Sequence, residues 1–127
     1  MREIKFRIWN VYEEEMLDDV CCFTDDFTDM LNGFFDYYQN VVDDDEKLIF
    51  MQYTGLRDKN HKEIYEGDIV EIDTGAIGKV VFDEECAYFC IITKTGIFLF
   101  EDIPLEGIKV IGNIFENPEL LEKLDEN

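Results

Sequence analysis

From Asn10 to Glu46 the chain carries no lysine or arginine, and in the whole sequence 11 Lys and Arg oppose 31 Asp and Glu, a formal net charge of -20. A field of that sign repels phosphates and anionic lipid, so general nucleic-acid binding starts at a disadvantage. Histidine occurs once, as His61, and the four cysteines stand as Cys21-Cys22 and Cys86-x-x-x-Cys90. With no C-x-x-C pair and no second histidine, a zinc site is disfavoured, and the cysteines are expected to be small buried hydrophobes in a reducing compartment. No apolar run approaches the roughly 18 residues of a membrane span, and Met1 to Trp9 lacks the apolar centre of a signal peptide. A cytoplasmic protein without membrane contact, metal or cofactor is the expectation.

What the chain does hold is enough apolar mass for one core. Of its 127 residues 46% are hydrophobic, with 11 Phe and 6 Tyr, which is one domain's worth with an appendage. Seven of the 11 basic residues fall in Arg2 to Arg7 and Lys47 to Lys62. If those segments are neighbours, a mixed or basic edge sits beside an acidic lobe, an arrangement suited to self-association or to binding a partner.

Glu3 to Trp9 alternates with the strand period, Ile4, Phe6 and Ile8 on one side and Lys5, Arg7 and Trp9 on the other. Asn10 to Glu15 reads as a turn, and Met16 to Phe23 as a returning strand of an N-terminal hairpin. Between Thr24 and Asn40 the period changes to steps of three and four, carried by Phe27, Met30, Leu31, Phe34, Phe35 and Tyr38. Thr24 as N-cap and the early Asp25 and Asp26 support a helix there. Its aromatic stripe makes Phe27, Leu31, Phe34, Phe35 and Tyr38 candidates for a subunit interface. Asp43-Asp44-Asp45-Glu46 lacks the alternate ligands and the glycine of a calcium loop and reads as solvated.

Lys47 to Tyr53 is a strand candidate that Thr54-Gly55 ends, and Leu56 to Lys62 is a polar turn around Asp58, Asn60 and His61. From Gly67-Asp68 onward short strands recur: Ile69 to Asp73, Lys79 to Phe82, Tyr88 to Thr93, Ile97 to Glu101 and Ile108 to Asn113. Turns at Gly75 to Gly78 and Thr95-Gly96 separate them, a pattern of a small barrel or sandwich. Asn117-Pro118-Glu119 starts a short C-terminal helix docking through Leu120, Leu121 and Leu124. The class is α+β, mainly β, divided as 1–46, a hairpin with an acidic aromatic helical segment, and 47–127, a β domain with a short C-terminal helix.

Met51-Gln52-Tyr53-Thr54-Gly55-Leu56, continued by Asp58-Lys59-Asn60 and Glu63-Ile64-Tyr65-Glu66-Gly67-Asp68-Ile69-Val70, resembles the YopX family of phage and prophage proteins. Arg2 to Arg7 with Trp9, and Val110 to Leu121, extend the likeness to both ends. The resemblance implies an SH3-like barrel for the second half, an N-terminal segment associated with it, homo-oligomers and an origin in a phage or integrated element. It implies no activity, and it brings no catalytic residues with it. Two positions depart from the family pattern. His61 stands where a glycine is usual, which puts the type of that turn in question, and Ile8 stands where Ala is usual in the first strand, implying a larger pocket opposite it.

No nucleophile-base pair, phosphate loop or H-E-x-x-H pattern occurs, so no enzyme is read from these residues. His61 reads as an exposed turn histidine. Three readings follow from what is there. The first is a non-enzymatic interaction or self-assembly module. The second is an acidic decoy for a basic, DNA-binding host protein, resting on the cation-free run. The third, weaker, is a nucleic-acid-binding barrel using Arg2, Lys5, Arg7, Trp9, Arg57, Lys59 and Lys62, since small barrels can stack bases on aromatics. The candidate binding residues are Arg7, Trp9, Tyr53, Arg57 and Lys59.

Overall fold

A computed structural model of the chain describes residues 5–11, 13–21 and 48–125. The chain divides into two compact units, Met1–Tyr53 and Thr54–Asn127. The aromatic segment between Thr24 and Asn40 and the acidic loop at Asp43 to Glu46 lie outside the described residues.

In the first unit, β1 (Lys5–Asn10) pairs antiparallel on one side with β2 (Glu15–Cys21) and on the other with the beginning of β3 (Leu48–Arg57). The hairpin read from the alternation is therefore present. Its turn is set by Asn10, whose Oδ1 accepts the Glu13 amide at 3.0 Å, and Glu14 takes a left-handed φ of 54°. Register slips by one residue between Phe6 and Ile8, so that β2 carries one extra residue at Asp18-Asp19, a bulge. Burial along β1 does not follow its alternation: Arg7, Ile8, Trp9 and Asn10 are all buried. A strand paired along both edges whose two faces are also covered buries polar and apolar residues alike.

In the second unit, β3 continues through Thr54-Gly55 to Arg57 rather than stopping there. Gly55 takes a φ of 89°, which bends the strand without ending it. The Thr54 hydroxyl satisfies the groups the bend disturbs, donating to the Ile64 carbonyl at 2.7 Å and accepting the Leu56 amide at 3.2 Å. A three-residue strand, β4 (Glu63–Tyr65), lies beside β3 and is too short to leave a periodic signal.

An antiparallel sheet in the order β8-β7-β6-β5-β9 follows, made of β5 (Asp68–Ile72), β6 (Ile77–Asp83), β7 (Tyr88–Thr93), β8 (Gly96–Leu99) and β9 (Ile108–Asn113). Ile64, Val70, Ile72, Val80, Ile91, Ile108 and Val110 form its core. The backbones approach so closely at Gly78 that a Cβ there would run into the Ile91 side chain. The bend after β5 falls at Asp73 to Gly75, earlier than the glycine pair implies, closed by the Gly75 amide on the Ile72 carbonyl at 2.8 Å. Phe100–Asp102 is a 3-10 turn and not the end of β8. Ile103 precedes Pro104, which has no N–H to offer a ladder. The C-terminal helix α1 (Glu119–Asp125) is present as the Asn-Pro start implied.

His61 holds a left-handed conformation, the region that glycine favours, with φ 64°. A side chain in that region costs about 1–2 kcal/mol, and glycine gives back part of the gain through its looser unfolded chain. His61→Gly is therefore expected to raise stability by about 0.5–1 kcal/mol in urea unfolding; a loss of stability would show that the imidazole contributes more than its backbone costs.

Candidate functional site

The turn joining β3 to β4 is a polar constellation of the second unit centred on Asp58. Asp58 Oδ1 accepts the amides of Asn60 at 2.8 Å and Lys62 at 2.9 Å. Its Oδ2 reaches 52 residues along the chain to accept the Val110 amide at 2.8 Å. The Lys59 amide donates to the Ile108 carbonyl at 2.9 Å, so the turn adds two rungs to the outer edge of β9, one of them with a carboxylate in place of a peptide carbonyl. Within the turn, the Asp58 amide donates to the Lys62 carbonyl at 2.8 Å and the His61 amide to the Asp58 carbonyl at 2.9 Å.

Asp58 is only 4% exposed. Burial alone would push its carboxyl up, but the amides of Val110, Lys62 and Asn60, with the Lys62 charge, outweigh it and hold the group below the ordinary aspartate value. A second buried carboxylate, Asp68, accepts the Tyr65 amide at 2.8 Å across the turn between β4 and β5. Asn113 and Asn117 lock the exit from β9. Asn113 Oδ1 accepts the Phe115 and Glu116 amides, while Asn117 Oδ1 accepts the Asn113 amide at 3.2 Å.

The candidate binding residues separate into two groups. Arg57 and Lys59 are exposed on the Asp58 turn beside His61 and Lys62. Arg57 is partly committed there, Nη1 donating to the His61 carbonyl at 3.1 Å and Nη2 lying 3.5 Å from Glu63 Oε2. Arg7, Trp9 and Tyr53 belong to the first unit and are buried, with the Lys5 ammonium 5.0 Å from the centre of the Tyr53 ring. The interface candidates Phe27, Leu31, Phe34, Phe35 and Tyr38 lie outside the described residues.

The cysteine expectation holds for Cys90, which is buried, and fails for Cys86, which is exposed. Cys86 stands in the tight β6-β7 turn, where Asp83 Oδ1 accepts the Glu85 and Cys86 amides and the next residue, Ala87, takes a left-handed φ of 56°. Tyr88 is pushed up, chiefly by its hydrogen bond to Cys86, and burial pushes the Cys90 thiol up. A raised thiol stays protonated and is a poor nucleophile. Among the described residues no three His, Cys, Asp or Glu side chains converge to hold a metal ion, and no helix is long and apolar enough to cross a membrane.

Asp58 appears in the sequence only as a turn residue. The local half of its role has a signature, an Asp with backbone amides two and four residues on in a polar turn; the bond to Val110 has none.

The chain belongs to the YopX protein family, whose model matches residues 5–122. It is also similar to the crystal structure of protein EF1440 from Enterococcus faecalis, with 29% identity and a TM-score of 0.66 over 95% of this chain and 99% of that one. No curated protein matches it.

Removing the Asp58 carboxylate leaves three amides to find other partners, the Val110 amide in a buried place. Asp58→Ala is expected to cost about 2–4 kcal/mol of stability in denaturant unfolding. Because the folded-state pKa is depressed, this stabilisation is present above the unfolded-state value near pH 4 and fades as pH falls through the lower folded value. The stability difference between the native chain and Asp58→Ala should therefore shrink below about pH 4, and a difference that stays constant down to pH 2 would contradict the assignment.

Proposed function

We propose that this chain is a non-enzymatic protein-interaction module of phage or prophage origin, that it works by self-association in the cytoplasm of the host cell, and that its second unit is a small barrel of the SH3-like kind. The observation that carries the reading is an exposed apolar pair on one face of the second unit's sheet, where Ile97 is 63% and Ile92 37% exposed. Scattered apolar residues are ordinary, but Ile92 and Ile97 are direct cross-strand neighbours. The groups with shifted titration, Asp58, Tyr88 and Cys90, are each accounted for by local packing or turn structure, which supports the non-enzymatic part.

The acidic decoy for a basic host protein is the second reading, favoured by the net charge of -20 and the stretch from Asn10 to Glu46 without a cation. Nucleic-acid binding gains less support, since Trp9, the ring available for stacking in that reading, is buried.

The readings separate by the sign of their salt dependence. Two copies that each carry a charge of -20 repel, so self-association should strengthen as salt screens them, whereas capture of a basic protein should weaken. Light scattering of the purified chain is expected to give an oligomer whose population grows from low to moderate salt. A strict monomer at high concentration in both conditions overturns self-association, and salt-sensitive recovery of a basic host protein would then favour the decoy.

A further inference from the structure

The two edges of the five-stranded sheet are finished differently. At β9 the outward backbone groups meet the Lys59 amide and the Asp58 carboxylate. At the other end, β8 has β7 as its one strand neighbour among the described residues. The β7-β8 hairpin closes on Thr93 opposite Gly96, with Ile92 opposite Ile97, Ile91 opposite Phe98 and Cys90 opposite Leu99. Hydrogen-bonded and non-bonded pairs alternate along an antiparallel ladder. Counted from the closing pair, Phe98 turns its N–H and C=O toward β7, while Ile97 and Leu99 turn theirs outward.

An edge with apolar side chains and outward amides is a template for another strand. Charge chooses the strand. Lys94 precedes β8, and Glu101 with Asp102 follows it, all exposed. A strand cationic at its start and anionic just past its end complements itself when antiparallel and repels itself when parallel.

We infer, building on the self-association reading, that β8 is a self-pairing edge through which two copies of this chain join antiparallel about a two-fold axis at Phe98. In that register Ile97 stands opposite the partner's Leu99, and both outward residues form hydrogen-bonded pairs, as the ladder requires. Ile97 and Leu99 lie on one face of the sheet, so their side chains meet across the seam, and Lys94 comes to the end of the strand where the partner's Asp102 lies. The Asp58 turn bars the same pairing at β9, so the joint closes as a dimer and does not propagate.

The test is light scattering of the full chain and of variants at moderate salt. The native chain is expected to show twice its monomer mass. Ile97→Asp, at an exposed position, should keep the native unfolding midpoint and weaken dimerisation by about tenfold or more. Lys94→Glu should also weaken it, and adding Asp102→Lys should restore it, a rescue that a merely structural role for either residue does not produce. A native monomer overturns both this joint and the self-association reading. An oligomer unchanged by Ile97→Asp, or a charge swap without rescue, overturns the β8 joint and leaves self-association through another surface standing.

Discussion

A single carboxylate at Asp58 closes one edge of the second unit's sheet. It collects three backbone amides, two within its own turn and one on β9. Burying a charge is costly unless hydrogen bonds satisfy it, and here they do so well enough to hold the acid ionised below the ordinary aspartate range. The constraint reaches beyond the turn. With Lys59 on Ile108, it fixes where β9 lies relative to the β3-β4 connection, and so how Ile64, between β4 and the core, meets Ile108 and Val110. A strand in place of the turn would have satisfied the same amides, but it would have exposed its own outer edge in turn.

The sheet's asymmetry follows from that closure. One end is finished by a polar turn, and the other ends on a four-residue strand carrying the most exposed large apolar side chain of the described residues, Ile97. The chain's net charge of -20 works against association at low salt, so an apolar edge flanked by Lys94 and by Glu101-Asp102 forms a local site inside a repulsive field. Local complementarity then governs the geometry of contact, and ionic strength governs its extent.

Much of the strand pattern was legible because it is local. The alternation of Lys5 to Trp9, the returning Met16 segment, Tyr88 to Thr93 and Ile108 to Asn113 mark strands where strands are found, and Asn117-Pro118 marks the start of α1. What escaped has physical reasons. Gly55 reads as a stop because glycine punctuates strands, yet the Thr54 hydroxyl bridges the bend and pairing resumes. β4 is too short for any period to register. The burial of Arg7 and Trp9 depends on what covers both faces of β1, which no alternation within β1 reports. For the candidate site, the exposure of Arg57 and Lys59 follows from the polar turn, whereas the bond from Asp58 to Val110 spans 52 residues and is invisible to any window.

Residue-resolved amide hydrogen exchange across a range of protein concentrations tests the contrast between the closed and the open edge most directly. Val110, bound to Asp58, and Phe98, bound to β7, are expected to be protected at every concentration, while Ile97 and Leu99 exchange quickly in dilute solution and gain protection as concentration rises. Fast exchange at Val110, or exchange at Ile97 and Leu99 indifferent to concentration, would contradict that contrast.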